Sequence, residues 1–456
     1  MRAYRLILSL LLISSGVISC SEDTENTVGY DLSELQETAP LVVELTPSSQ
    51  DTYYRAEFSG DVGIKSSLAF GRFGDTEARA FLRFDEPPGD LGTQAIVRER
   101  VQWVEATLTL YGYAQSDSVP FTFSVYEVTQ PFNPYEFSWE NAALDSLWDT
   151  PGGTFAEEPI VTQTVTIHPA VAGDSIGIDI SSVLEKWYPT FQDTLDRFYA
   201  LAIVPDENMQ SMVHVYAGDV ERVDANIPYQ ASYPKISIRY NYVKTTGEDT
   251  IAVDQMRVST TNIGSSATSY DDGYIVKPIT PTGVGQQPFL ELNSGQYYRG
   301  LMRFDLRDII PTDATINYAE LTLFADSTMS GMYDKTYRDD SLFVSIDYMN
   351  VLLLPLEEAW DEDTNTTELD FGISQQVAGL DIEITPGKID TLRYRITNLV
   401  QLWSLQPESN FGFMLRSGWE GANFSVGRIF TREAEPTLQP RLKIHYTVPP
   451  RDPWEN

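Results

Sequence analysis

The chain has 456 residues, 42% of them hydrophobic and 12% aromatic, with a formal net charge of -35 and a pI near 4.3. That length exceeds what one core usually holds and predicts two domains. The charge excludes nucleic acid as a partner, repels anionic headgroups and disfavours simple charge attraction to an anionic polysaccharide.

In chain order, residues 1–19 have the layout of a secretory signal: Arg2 and Arg5, then the apolar run Leu6 to Ile13, then Ser14, Ser15 and Gly16. The run is short for a membrane span. Val17-Ile18-Ser19-Cys20 resembles a bacterial lipobox, with Ile18 where a smaller residue is usual. The resemblance implies cleavage before Cys20 and its acylation, and several acyl chains at about 0.8 kcal/mol per buried methylene make a lasting anchor. Cys20 is the one cysteine, so no disulfide forms within the chain. The acidic stretch after it looks like the surface-export signal of Bacteroidota lipoproteins. Residues 20–40 read as a polar tether. The expected location is the bacterial outer membrane, held by lipid alone and facing the cell surface.

From Leu41 onward the pattern is that of half-buried strands, at Leu41 to Leu45, Phe81 to Phe84, Ala106 to Tyr111 and Phe121 to Val128. A loop from Thr129 to Phe155 carries Trp139, Trp148 and Gly152-Gly153. Ile180, Val183, Leu184 and Trp187 then share a helical face, with Ser181 as the expected cap and Pro189 as the stop. Strands resume at Phe198 to Val204, Met212 to Tyr216 and Lys235 to Tyr242.

The pattern then repeats. Arg83-Phe84-Asp85 returns as Arg303-Phe304-Asp305, Leu108-Thr-Leu110 as Leu321-Thr-Leu323, and the helix as Ile396, Leu399, Val400 and Trp403. Residues 41–243 and 250–448 therefore read as two copies of one domain, joined at 244–249. Spacing between motifs drifts, as loop insertion produces, and Met329 to Asp340 and Asp361 to Gly372 look like such loops. The expected fold is all-β: two tandem jelly-roll-type β-sandwiches, each with one short helix.

Leu82-Arg-Phe-Asp85 with Ala106 to Tyr111, Met302-Arg-Phe-Asp305 with Ala319 to Phe324, and Arg428-Ile-Phe-Thr-Arg-Glu-Ala434 with Gln439 to Tyr446 resemble the DNRLRE domain family. The first copy departs from it at Val220 to Ala225. The resemblance implies a jelly-roll sandwich. It also implies either carbohydrate binding, alginate included, or a structural role at the cell surface.

His168, His214 and His445 show no metal-ligand spacing, and no nucleophile elbow, phosphate loop or zinc-protease motif occurs. The chain therefore reads as a non-catalytic lipoprotein without a cofactor, binding a polysaccharide through Trp148, Trp419 and Tyr135, whose rings suit sugar faces; packing of these rings against their own sandwich is the competing reading. The alternative is an assembly component that binds envelope proteins. Asp361, Asp363 and Asn365 alternate as in a calcium loop but lack its glycine and final glutamate. A solvated acidic loop is the competing reading. Arg303, Arg428 and Arg432 are expected to pair internally, with Asp305 and Glu433 as acids.

Overall fold

Strands with alternating apolar residues bury one face and need a second layer to cover it. In the computed structural model such strands form two large buried clusters. The structure describes residues 40–56, 67–73, 75–84, 102–115, 120–166, 175–187, 198–218, 233–243, 247–258, 260–263, 267–281, 287–326, 335–338, 341–344, 348–362, 366–367, 378–383, 388–418, 420, 424 and 426–449. Residues 1–39, which the sequence suggests hold a signal and a tether, and residues 220–225 lie outside them.

The principal strands are β1 (Leu41–Leu45), β2 (Gln50–Ala56), β3 (Ser67–Phe73), β4 (Thr76–Phe84), β5 (Gln102–Gln115), β6 (Phe121–Glu127), β7 (Val161–Val165), β8 (Ser175–Asp179), β9 (Tyr199–Pro205), β10 (Met212–Tyr216) and β11 (Lys235–Val243). They continue as β12 (Asp249–Arg257), β13 (Asp272–Val276), β14 (Phe289–Asn293), β15 (Tyr298–Arg303), β16 (Thr315–Asp326), β17 (Tyr348–Pro355), β18 (Ala378–Glu383), β19 (Ile389–Arg395), β20 (Phe413–Ser417), β21 (Val426–Phe430) and β22 (Arg441–Thr447). They build two large antiparallel sheets. One runs β12-β11-β5-β10-β3-β4-β9-β6-β7, with β8 also on β5 and β13 on β4. The other runs β1-β22-β16-β21-β14-β15-β20-β17-β18, with β19 on β16 and β2 on β15. A two-residue parallel contact joins β2 to Thr366–Thr367.

The two strand orders match position for position, as a duplicated chain requires. They match, however, only with the opening strands exchanged. β1 and β2, read from sequence as part of the first copy, pair with β22 and β15 of the second. β12 and β13, read as the start of the second copy, pair with β11 and β4 of the first. The division at 244–249 is therefore not a boundary between separately closed bodies. The strands on either side of it pair with each other, from Val243↔Asp249 to Lys235↔Arg257. A short connection makes consecutive strands antiparallel neighbours, so β12 stays with the strand before it. By contact, the first unit is β3–β13, and the second is β14–β22 closed by β1 and β2.

Each unit has its own core. In the first, Leu108, Ile236 and Ile238 meet Phe70, Leu82, Phe123 and Leu201 from the other end of the strand path. In the second, Leu321, Leu442 and Ile444 meet Met302, Val351, Phe413 and the exchanged Tyr53. The units also touch. Phe424 packs into the first core against His214 and Tyr274. Gln296 accepts from the Ile279 N–H (2.9 Å) and donates to the Lys277 carbonyl (2.9 Å).

The short helices sit where the sequence puts them, slightly late: a 3-10 turn at Ser181–Val183 runs into α1 (Leu184–Trp187), and α2 is Thr397–Leu405. Ser181 does not cap its helix. Its hydroxyl accepts from the Ala106 N–H (2.9 Å), and Thr397 takes the Ala319 N–H in the same way (3.1 Å). The Ile180 and Ile396 N–H groups donate to the carbonyls of the same two alanines, which holds both helix starts on strands β5 and β16.

Backbone approach requires a glycine at position 412. Gly412 has φ +86°, and a Cβ there would lie 2.3 Å from the Met302 carbonyl oxygen. Gly412→Ala is expected to lower stability by about 2 kcal/mol or more, from left-handed strain plus the collision; a urea midpoint equal to wild type would refute that.

Candidate functional site

Two places gather the residues that the sequence singles out. The first lies on the outer face of the β4–β9 sheet. β9 is apolar on both faces: Leu201 and Ile203 point into the core, while Ala200 and Ala202 join Phe81 and Ile275 outside it. An apolar outer face needs a cover, and the loop from Thr129 to Phe155 supplies Phe132, Phe137, Trp139 and Trp148. The Trp148 ring stacks on Phe81 with centroids 5.6 Å apart, and its Nε1 donates to the Ser138 carbonyl (2.9 Å). Trp139 lies beneath the Arg79 guanidinium, 4.5 Å from the ring centroid. Gly152 and Gly153, at φ +89° and +114°, leave room for Trp139 and Phe155, which any Cβ would strike.

This corrects the expectation for Trp148. At 4% exposure it presents no ring face to a sugar. Tyr135 is half-buried, and its N–H donates to Asn133 Oδ1 (3.1 Å). Trp419 lies outside the described residues. Trp148→Ala is expected to cost about 3–5 kcal/mol of stability, as for other large buried aromatics. A variant of unchanged stability, measured by thermal unfolding, would show that the ring is dispensable to the fold.

The second place is the seat of the exchanged strand β2. Asp51 is 1% exposed and projects between β15 and the Thr431–Ala434 turn. Its Oδ2 accepts from the Arg432 N–H (3.1 Å) and from the Ser48 hydroxyl, while Oδ1 has no hydrogen-bond partner. Burial pushes its pKa up from the usual 3.8 to about 6, against the hydrogen bonds from Ser48 and Arg432. Arg432 then fans outward to the Ser49 carbonyl (2.6 Å), Glu362 Oε2 (3.0 Å) and Glu433 Oε1 (2.8 Å). Thr52 Oγ1 donates to the Glu362 carbonyl (2.9 Å), and the Ser49 N–H to the Arg303 carbonyl (2.8 Å). The arginine thus ties together the link between β1 and β2, the 356–362 loop and the turn after β21.

The first unit repeats the arrangement. Asp272 on β13 is buried, and its Oδ2 accepts the Gly218 N–H (2.6 Å), where Gly218 stands two residues beyond β10 as Arg432 stands two beyond β21. Sequence reading missed both aspartates. The signal was present, since Asp51-Thr-Tyr53 and Asp272-Gly-Tyr274 recur at nearly the spacing of Phe84 and Phe304.

Arg432 pairs internally with Glu433, as the sequence suggests. Asp305 instead takes Arg307, whose bidentate hydrogen bonds hold its carboxyl down to about 2. Arg428 reaches Glu291 (3.6 Å) and lies over Phe289. Asp361 is exposed, whereas Asp363 and Asn365 lie outside the described residues. Among the described residues no three acidic, histidine or cysteine groups converge as a metal site. The Arg432 guanidinium occupies the Glu362 carboxylate, a poor neighbourhood for a cation. No helix among them is long and apolar enough to cross a membrane. The chemistry of the seat is ionic fastening: it holds a strand in place. No protein-family model matches the chain, and no curated protein matches it.

Proposed function

We propose that this is a non-catalytic envelope lipoprotein anchored through Cys20, in which two jelly-roll-type sandwiches of the DNRLRE kind form one interlocked structural or assembly module. The carrying observation is the placement of the opening strands: the first unit is closed by the strands that follow it, and the second, from residue 289 onward, is closed by residues 41–56 from the far side of the first. The sandwich reading is supported by β5, which pairs with β8 and β11 through its first part and with β10 through its last, and so can belong to two layers. Interlocking suits a part that bears load or spaces partners, here other envelope proteins. Polysaccharide binding, the reading that the loop aromatics suggest, is placed second because Trp148 faces inward.

A glycan array probed with the Cys20→Ser protein, with and without calcium, tests the choice. No retention is expected. Retention abolished by Trp419→Ala would replace the structural reading with carbohydrate binding. The anchor has its own test: metabolic labelling with an alkynyl palmitate should mark the wild type and not Cys20→Ser.

A further inference from the structure

We infer that the seat for residues 41–56 is also an interface between copies: the N-terminal strand pair of one molecule closes the second unit of another. The seat itself is fully specified. β1 pairs with β22 from Leu41↔Tyr446 to Leu45↔Leu442, and β2 with β15 from Gln50↔Arg303 to Arg55↔Tyr298. Tyr53 enters the second core beside Tyr298, Tyr54 packs with Leu301, Leu354 and Met414, and Asp51 is fastened by the Arg432 N–H. All of these contacts run to the second unit. Residues 57–66 connect the segment along the chain to the first unit.

Nothing in this recognition depends on which molecule supplies the strands. The first unit makes the point internally. It fills the matching positions with β12 and β13, using the same Asp-x-Tyr pattern, although they reach it by a different connection. A seat that accepts a strand pair by register, one tyrosine and one aspartate takes the identical pair from a second copy with the same contacts. Exchange of an identical element is a low-cost route to association. A short covalent link gives the internal segment an effective concentration of about millimolar order, so exchange between copies takes over only as neighbours approach that density. Proteins crowded in one leaflet approach it. Pairing in a single direction, segment to next seat, would build rows; mutual exchange would build dimers.

The test uses two full-length Cys20→Ser chains, each with one new cysteine, Glu44→Cys in one and Lys443→Cys in the other. Both positions are exposed and stand opposite one another in the β1–β22 register. The chains are mixed near millimolar concentration, passed through mild urea and back, and treated with a short bis-maleimide. The control partner is Ser237→Cys, the matching position on β11 of the first unit, which pairs with β12 instead. The expected result is a cross-linked heterodimer in about tenfold excess over the control pair. Yield no higher than the control, in chains whose Glu44→Cys/Lys443→Cys double variant closes internally, overturns the inference. Failure of that double variant to close overturns it too, since the seat would then not exist. The chains carry no anchor, so the outcome is independent of the lipoprotein reading.

Discussion

Replacing Tyr54 by alanine is expected to cost about 3–5 kcal/mol, and the damage should appear far along the chain, in the second unit. Tyr54 is 0% exposed and lies among Leu301, Leu354, Leu356 and Met414, with half-buried Trp360 and Phe411 beside it. Removing the ring leaves a cavity on the outer face of β15 and β20. Hydrogen exchange should quicken in β15 and β20 while β4 and β9 keep their protection. Tyr274→Ala should do the reverse, because Tyr274 on β13 belongs to the first core. If loss of Tyr54 instead loosened β4 and β9, the exchanged pairing would be wrong.

The second large effect is a pH dependence carried by Asp51. Its folded pKa, about 6, lies above the usual 3.8 because burial disfavours the charged form. A raised folded pKa means that the native state holds the proton more tightly. The stability this contributes is complete below pH 4 and is lost as pH rises through 6. At about 1.4 kcal/mol per unit, the whole window is worth at most about 3 kcal/mol. Arg432 and Glu433 face the carboxyl from the turn after β21 and act in opposite directions. Asp51→Asn keeps an acceptor for the Ser48 and Arg432 donors and removes the titration. The variant should therefore gain on the wild type between pH 4 and pH 8, by up to about 3 kcal/mol, in urea unfolding at a series of pH values. The comparison isolates this group from the other acids. A constant difference would show that Asp51 is not buried as described.

Much of this fold is legible from the sequence, because the signals are local. Phe121 to Glu127 alternates and forms a strand with alternating burial, and the helix that carries Trp403 buries Leu399, Val400 and Trp403. Strand partnership is not local. Leu41 to Leu45 would look the same on β11 as on β22, so duplication alone placed it in the wrong unit. Only the recurrence of Asp-x-Tyr, together with the short β11–β12 turn, hinted at the exchange. Trp148 misled for a related reason: a loop has no periodicity from which to read burial. The clue lay in β9, where Ala200 and Ala202 make the outward face small and apolar, a face that water does not suit and a loop must cover. The arginines divided along the same line. Arg432 and Glu433 are sequence neighbours and were paired from sequence, whereas the link from Arg432 to Glu362 and Ser49 is made by tertiary structure.

The interlock requires that β1 lie on β22 and not on β11. Cross-linking of dilute Cys20→Ser chains with a short bis-maleimide decides it, since cross-strand neighbours hold their Cβ atoms about 5 Å apart. A chain with Glu44→Cys and Lys443→Cys should close on itself almost completely, and one with Glu44→Cys and Ser237→Cys should not. The opposite pattern, closure to position 237, would mean that each copy keeps its own opening strand and that the two halves are not interlocked.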